Sequence, residues 1–292
     1  MNRLDPPDYF DDTTTLDALA LNKRLKCYPQ LAAQAPTIKS GYAQYIAARG
    51  NANDVVNVAL PGLVSEQLKA LYASPPKWLT HIKRLREQND AHCCPMCGSF
   101  HTGTLDHLLP KSDYPVFVIF GHNLVPACSC NSRRSNKLTG AAGERILHPY
   151  FDDVLRERLF IARFEDLGLA PRITLQPLLP PTHSQALAVQ FHIINVVESA
   201  EILKYLRINW ANLLRRPRLV AAELCNAPRS RKKLKTTIAA ELERMDSTYQ
   251  SQNNWASVFL AGLLDDDVLD WIFAAFQRPG WVADGPLVDG IV

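Results

Sequence analysis

The chain has 292 residues, of which 47% are hydrophobic and 21% are charged, and its formal net charge is +3. A chain of this length and composition folds around a substantial core, which excludes a disordered or fibrous protein. No apolar run is long enough to span a membrane, and the first residues lack the apolar segment of a signal peptide. We therefore expect a cytoplasmic protein without a membrane partner.

The first 90 residues predict a helical N-terminal region. Apolar residues at helical spacing predict helices over 16–25, 38–48, 64–72 and 77–88. Ser65 is the expected N-cap of the third helix, because a serine hydroxyl can accept an unpaired N–H group of the first turn. Pro75 and Pro76 precede the fourth helix, where the missing N–H of proline costs least. The fourth helix has four basic residues, which are Lys77, Lys83, Arg84 and Arg86.

Residues 91–150 predict a compact module. Two short apolar runs, 105–108 and 124–127, are typical of strands, and a polar and aromatic loop over 110–121 joins them. The polar sequence after Cys130 predicts the start of a helix. The expected order is therefore strand, loop, strand and helix. A segment of this size has little core of its own, so a structural metal would stabilise it.

Residues 151–292 predict a mostly helical C-terminal region that is a candidate for docking DNA or a partner. Strands are predicted over 159–164 and 187–197, and helices over 199–216, 218–226, 230–249, 253–264 and 267–277. Ser199 is the expected cap of the first of these helices. Ten Lys or Arg and the single acid Glu223 lie between Lys204 and Lys235. This basic stretch suits a polyanionic partner, and a solvated helix surface explains it equally well.

The cysteines are concentrated in the central module, where five of the seven lie between Cys93 and Cys130. Because the cytosol keeps thiols reduced, this clustering indicates a metal rather than disulfides. Zinc prefers four ligands in a tetrahedron, and two close pairs joined by a β-loop-β turn can supply them. The expected zinc ligands are Cys94, Cys97, Cys128 and Cys130. Gly98 after the first pair is typical of a zinc knuckle, and Cys93 and His92 remain alternative ligands.

The frame of the four cysteines also contains Asp106-His107-Leu-Leu-Pro110, followed by Asn123 and Asn131. Here the sequence resembles the HNH nucleases, the ββα-metal or His-Me finger superfamily. Their pattern runs Cys-x-x-Cys, Asp-His-x-x-Pro, Asn-Leu, Cys-x-x-Cys-Asn and a following Lys or Arg. The likeness covers residues 94–137 and implies a mainly α protein with a small embedded zinc-stabilised ββα-metal module, α+β overall. The single residue between Cys128 and Cys130 departs from the pattern and affects the expected zinc geometry.

Hydrolysis of a phosphodiester explains why these residue types occur together. A water must lose its proton near neutral pH, where imidazole titrates, so His107 is the expected general base. A hard divalent cation stabilises the charge that builds on the phosphate oxygens. By the resemblance, Asp106 and Asn131 are the ligands of a catalytic Mg²⁺ or Mn²⁺. The resemblance also implies that Asn123 pins the loop and orients His107.

Four basic residues near this motif are candidates for contacts with nucleic-acid phosphates. They are Lys111, Arg133, Arg134 and Lys137. For each of them a solvated surface role is an equal alternative. The segment His148-Pro-Tyr-Phe-Asp152-Asp153 resembles one that follows the core in nucleases of bacterial defence systems, including the Septu-type nuclease that works with an ATPase. That resemblance implies an anti-phage effector whose flanking helices dock an ATPase partner.

Two other functions are compatible with parts of the sequence. A zinc-stabilised nucleic-acid-binding module without catalysis would retain the cysteines and the basic stretch. Such a module has no reason to place Asp106, His107 and Asn131 together. A ribonuclease would use the same site, and no motif in the chain recognises a 2′-hydroxyl group. The leading hypothesis is a metal-dependent endonuclease that cleaves DNA, with RNA as the alternative substrate.

Overall fold

The computed structural model describes residues 1–8, 10–77, 79–87 and 91–286. The helices in this part of the chain are α1 Asp12–Ala20, α2 Gln30–Ala47, α3 Gly62–Ala73, α4 Thr80–Glu87, α5 Cys130–Arg133, α6 Ala186–His192, α7 Ile202–Arg215, α8 Arg231–Tyr249, α9 Trp255–Gly262 and α10 Asp266–Phe276. The strands are β1 Thr104–His107, β2 Leu124–Ala127, β3 Phe160–Glu165 and β4 Arg172–Pro177. The predicted α+β class is confirmed. Within the predicted helix over 77–88, positions 78 and 88 lie outside the described residues.

The strands form two separate antiparallel pairs. In the first pair, Thr104 lies opposite Ala127 and His107 lies opposite Leu124. In the second pair, β3 and β4 follow each other directly along the chain. The first pair is followed at once by the short helix α5, as the sequence predicts for the central module.

Side-chain caps explain why several helices begin where they do. The Ser230 hydroxyl accepts a hydrogen bond from Lys233 N at the start of α8. The Asn254 side chain accepts one from Ser257 N at the start of α9, and Asp265 caps α10 through Val268 N. Each cap satisfies an N–H that has no partner within its own helix. The predicted helices over 230–249, 253–264 and 267–277 are confirmed.

The predicted strand over 187–197 is wrong, because this segment is helical. It forms α6 and then a wider π-helical turn over Ile193–Val197. The buried residues Val189, Ile193 and Val196 recur at helical spacing, and an apolar run of this length is compatible with either structure. The strand β4 was not predicted, since its sequence is short and ends at Pro177. The predicted helix over 218–226 is reduced to a 3-10 turn over Pro217–Leu219.

Two predicted caps are also wrong. Helix α3 begins at Gly62, so Ser65 lies inside it and donates its N–H to Pro61 O. The Ser199 hydroxyl donates to Val196 O in the preceding helical turn, and α7 begins only after Glu201. In both places the helix begins at a residue that cannot be identified from the position of a capping serine in the sequence.

Two hydrophobic cores organise the described residues. The first core packs α1 to α4 together with the β1–β2 module. The second packs β3 and β4 with α6 to α10, and its largest buried side chain is that of Trp210. Leu85 and Cys94, on either side of the predicted boundary at 90, both belong to the first core, and the predicted boundary at 150 lies near the change from one core to the other. Trp255 packs against both cores.

No single helix in the described ranges is long and apolar enough to cross a membrane. The segments Ala186–Ala200 and Ile202–Arg215 meet that length and composition only as a pair, and the chain bends by 66° between them. Apolar residues of both segments, among them Val189 and Leu206, belong to the second core.

A substitution of Gly262 tests how closely α9 packs against β3. A Cβ atom at this position would lie 2.1 Å from Ala162 O, so Gly262→Ala forces the helix away from the strand. We expect a loss of about 1–3 kcal/mol in the free energy of unfolding, measured by urea denaturation. Gly62→Ala is the control, because a Cβ atom there meets no heavy atom within 4 Å. Equal stability of the two variants would contradict the close approach.

Candidate metal centre and the adjoining polar cavity

The β1–β2 pair brings the two cysteine pairs together. Cys94 and Cys97 lie in the turns before β1, whereas Cys128 follows β2 and Cys130 begins α5. The antiparallel register places the start of β1 beside the end of β2. Residues that are more than thirty positions apart in sequence therefore meet at one end of the hairpin.

The four thiols have the arrangement that a tetrahedral metal requires. All four cysteines are buried, and their sulfur atoms lie within 4.8 Å of one another. The Sγ atoms of Cys94 and Cys130 are 3.7 Å apart, and those of Cys97 and Cys128 are 3.5 Å apart. Zinc bound to thiolates at about 2.3 Å sets neighbouring sulfurs roughly 3.8 Å apart. The predicted quartet is therefore confirmed as a group that can hold a metal ion such as zinc.

Backbone amides support the sulfur atoms. Cys128 N donates to Cys94 Sγ at 3.4 Å, and Cys130 N donates to Cys128 Sγ at 3.3 Å. The second bond joins the two cysteines of the short Cys-x-Cys pair within one compact turn. Contacts from Cys130, Cys94 and Cys97 hold the pKa of the Cys128 thiol far below its usual value. The alternative ligands Cys93 and His92 lie outside the group of converging sulfurs.

The turn that contains Cys94 and Cys97 is held by residues of the second core. Gly98 has a φ of +82° and donates its N–H to Cys94 O, which closes the turn. Trp255 donates through Nε1 to Cys97 O at 2.7 Å, and His192 Nε2 lies 2.6 Å from Met96 O. The carbonyl groups around the metal site thus have partners from the C-terminal half. Sequence analysis missed Trp255 and His192, since no local pattern relates them to the cysteines.

His107 lies at the end of β1 with its ring orientation fixed. Its Nε2 atom lies 2.9 Å from Val118 O, and its side chain is only 3% exposed. A carbonyl oxygen accepts and never donates, so the ring carries its proton on Nε2. In the neutral ring the other nitrogen, Nδ1, has the free lone pair, and it lies 3.9 Å from Asp106 Oδ1. Such an arrangement suits a proton acceptor.

Asp106 and His107 line a cavity of about 290 Å³. Pro110, Lys111, Asn131 and Arg134 also contribute to its wall. Burial acts to raise the pKa of Asp106, but hydrogen bonds from His107 and Asn131 outweigh it and lower the pKa. The carboxylate is therefore ionised, and its side chain is 35% exposed. The cavity thus contains a negative charge within reach of solvent.

Arg134 is enclosed within the site. It is 3% exposed and donates to His107 O, Leu108 O and the Asn131 amide oxygen. Asn131 in turn donates to His107 O at 3.2 Å. Burial lowers the pKa of Arg134 to about 10, which leaves it charged at neutral pH. Its buried guanidinium group therefore links the end of β1 to α5 through hydrogen bonds.

The other three basic candidates occupy different surroundings. Lys111 is exposed at the cavity wall. Arg133 forms an ion pair with Glu201 at 3.1 Å, on the side that faces the helical region. Lys137 is exposed and does not contribute to the described wall of the cavity. The structure therefore brings Lys111 and Arg134 to the site but not Arg133 and Lys137, and a nucleic-acid contact by any of them stays a prediction.

Asn123 connects the strands to the loop that holds His107. Its amide oxygen accepts from Leu109 N at 2.8 Å. Its amide nitrogen donates to Leu109 O and to Phe117 O, the residue before Val118. Asn123 itself is fully buried. It thereby fixes the peptide segment whose Val118 carbonyl orients the imidazole of His107.

A buried chain of hydrogen bonds extends this arrangement to residues that sequence analysis did not place in the site. Tyr150 N donates to His148 Nδ1, so the proton of the His148 ring must lie on Nε2, 3.0 Å from the Tyr45 hydroxyl. The Tyr45 hydroxyl then donates to Asn123 Oδ1 at 3.2 Å. Burial lowers the pKa of His148 to about 3, which keeps its ring neutral. The His122 carbonyl oxygen, 3.4 Å from the Tyr45 hydroxyl, is a second acceptor in this buried chain.

Comparison with known proteins gives one limited similarity. The chain is 37% identical over 76 residues to protein ea31 of Escherichia phage lambda. This segment covers 24% of the present chain and 26% of the phage protein, so the match spans about a quarter of that relative's length. No family model matches the chain, and no solved structure matches it.

The metal site predicts one bound zinc ion per chain, measurable by elemental analysis of the purified protein. Cys97→Ser should lose that zinc and lower the free energy of unfolding by more than about 3 kcal/mol, because structural zinc contributes folding free energy. Cys225→Ser is the matched control, since Cys225 is exposed and lies outside the quartet. A wild-type protein without metal, whose thermal melt a chelator leaves unchanged, would contradict the assignment.

The buried hydrogen-bond chain predicts a cost for removing one hydroxyl group. Tyr45→Phe removes the buried hydroxyl that joins His148 Nε2 to Asn123 Oδ1, so we expect a loss of about 1–3 kcal/mol in the free energy of unfolding. Tyr42→Phe is the control, because Tyr42 is buried on the same helix and stacks on Phe120 outside this chain. Urea denaturation of both variants measures the difference. Similar stability of the two would show that the Tyr45 hydroxyl makes no net contribution.

Proposed function

We propose that the protein is a metal-dependent endonuclease of the HNH class that hydrolyses phosphodiester bonds in DNA. The observation that supports this most directly is the geometry of His107. Its Nε2–H is engaged by Val118 O, and its Nδ1 lies 3.9 Å from the ionised Asp106 carboxylate at the wall of a cavity. His192 is also held by a backbone carbonyl, but His107 differs from it in lying beside a carboxylate that reaches solvent through the cavity.

In the proposed reaction His107 acts as the general base. Nδ1 accepts a proton from a water molecule as the water oxygen attacks phosphorus. The bond from phosphorus to the leaving oxygen breaks, and that oxygen departs with the electron pair. The imidazolium that forms keeps its Nε2–H bond to Val118 O. The adjacent carboxylate of Asp106 stabilises its positive charge, because opposite charges about 4 Å apart attract in a partly buried site.

Two oxygen atoms of the cavity suit a hard divalent cation. The Asp106 carboxylate is ionised and accessible, and Asn131 lies in the same wall. The Asn131 amide oxygen already accepts a bond from Arg134, but a carbonyl oxygen has a second lone pair for a metal. Mg²⁺ is usually held by one or two protein oxygens with water and phosphate at the remaining positions. When bound there, such an ion would stabilise negative charge on the phosphate and on the leaving group.

In this proposal zinc has a structural role only. Four thiolates would fill its coordination shell, and a zinc ion with four protein ligands has no open position for a substrate or water. The sulfurs are buried, whereas the Asp106 carboxylate reaches the cavity. The two metals are therefore assigned different ligand types. Thiolates select the structural zinc, and oxygen atoms select Mg²⁺ or Mn²⁺.

We further propose that the nuclease is an anti-phage defence effector that works with an ATPase partner. This part of the proposal is based on the resemblance of the segment from His148 to Asp153 to defence nucleases. His148 and Asp152 are buried, and Asp152 forms a bidentate ion pair with Arg145. The segment thus supports the site from within. A partner would therefore have to dock on other surfaces, such as the exposed faces of the helices.

The test is incubation of wild type, His107→Ala and His101→Ala with plasmid DNA and with tRNA, with and without Mg²⁺ or Mn²⁺. We expect metal-dependent cleavage of DNA by wild type, and a decrease of about 10²–10⁴-fold in His107→Ala through loss of the general base. His101→Ala is the matched control, because His101 is exposed and lies outside the described cavity wall.

Other outcomes of this experiment separate the alternatives. Retained cleavage by His107→Ala would overturn the assignment of the base. Cleavage of tRNA but not of DNA would support the same hydrolytic mechanism and would identify the protein as a ribonuclease. Binding of DNA without cleavage, unchanged in His107→Ala, would favour the zinc-stabilised binding module.

A further inference from the structure

The basic stretch near the C-terminus faces acidic residues of its own chain. Arg231 forms ion pairs with Asp266 and Asp270 at the start of and within α10. Lys233 pairs with Glu223 at 3.0 Å. Similar pairs occupy Lys235 and Arg218, with Asp266 and Asp284 as their partners. Four of the ten basic residues in this stretch are therefore recorded in ion pairs with acids of the same chain.

Helix α4 presents basic side chains in a different setting. His81, Ile82 and Leu85 form its buried face, which packs against β1 and β2. Lys83 and Arg86 lie on the exposed face. The acid recorded beside them in the described residues is Glu87, whose contact with Lys83 is 3.6 Å long. An exposed pair of this length leaves the lysine largely available to other anions.

Tyr72 lies between two cations, Arg86 and Lys111, and the proposed catalytic histidine. The Arg86 guanidinium lies 4.9 Å from the centre of the Tyr72 ring, and Lys111 Nζ lies 5.4 Å from it. The same ring lies 4.3 Å from the ring of His107. Both cations are therefore within about 10 Å of the His107 ring, a distance similar to the Debye length at 0.1 M salt. Their field acts on any anion in the cavity.

The position of Tyr72 is itself fixed. Its hydroxyl donates to Leu105 O in β1, and its backbone oxygen accepts from Arg86 at 2.7 Å. The ring is nearly buried, at 9% exposed. It thus forms a rigid support between β1 and α4, and it holds the two cations on the side of the site where Lys111 lines the cavity.

We propose that Lys83, Arg86 and Lys111 form a cationic rim that binds the phosphate backbone of DNA and leads it to the cavity of Asp106 and His107. This inference rests on the proposed nuclease function and names the surface that would hold its substrate. It also assigns no primary role in DNA binding to the basic stretch over 204–235. Phosphate contacts are expected to dominate the affinity, since they neutralise the backbone and release its counterions.

The experiment compares two double variants, both made in the His107→Ala protein so that bound DNA is not cut. The rim variant combines Lys83→Ala with Lys111→Ala. Arg86 is left in place, because it also donates to the Tyr72 backbone. The control combines Lys204→Ala with Lys232→Ala, two exposed lysines of the basic stretch, and removes the same charge. Zinc content and thermal melts verify that both variants are folded.

Affinity for a fluorescent 20-base-pair duplex is measured by anisotropy between 50 and 200 mM NaCl. The rim variant should bind at least about tenfold more weakly at 100 mM NaCl. The slope of log K against log [salt] should become less steep by about two, one for each lost phosphate contact. The control should bind within about threefold of its parent.

Equal losses in the two double variants, unchanged binding by the rim variant, or no DNA binding by the parent would overturn the proposal. The nuclease assignment is tested separately by cleavage. If binding depends on the rim but wild type never cleaves DNA, the rim proposal stands and the nuclease assignment is rejected. If wild type cleaves DNA but binding does not depend on the rim, the nuclease assignment stands and the rim proposal is rejected.

Discussion

The convergence of four sulfur atoms is the constraint on which the rest of the central module depends. The β1–β2 pair has only four residues in each strand, and an isolated hairpin of that length is marginally stable in water. Bonds from Cys94, Cys97, Cys128 and Cys130 to one metal ion would join the start of β1 to the end of β2. The metal site therefore supports the pairing of β1 with β2, and with it the position of Asp106 and His107 on β1.

The module is further held by both halves of the protein. Trp255 and His192 satisfy carbonyl groups of the first cysteine turn from the C-terminal side. Tyr45 and His148 support Asn123 from the N-terminal side and from the segment that follows the module. These bonds are buried, where an unsatisfied polar group is costly, so they select one arrangement of the loop around His107. A small site with little core of its own thereby becomes rigid.

Charge is arranged differently in the two halves. In the C-terminal half, Arg231 and Lys235 of α8 form ion pairs with acidic residues of α10. Around the cavity, Arg86 and Lys111 share the ring of Tyr72, while the carboxylate of Asp106 lies inside. A negative centre surrounded by cations suits a site where a divalent cation and a phosphate must meet. The net charge of the chain does not reveal this difference between the two halves.

The sequence alone determined the elements whose pattern is local. Apolar spacing and flanking polar residues predicted the strands over 105–108 and 124–127 and the helix over 230–249, and cysteine spacing predicted the metal ligands. The apolar run over 187–197 suits a strand or a helix equally, and only packing against the second core made it helical. Only the tertiary structure decided which charges cancel, and which buried groups, such as Tyr45 and His148, support Asn123. Those relations join residues up to about a hundred positions apart, and a contact between distant residues leaves no periodic signal along the chain.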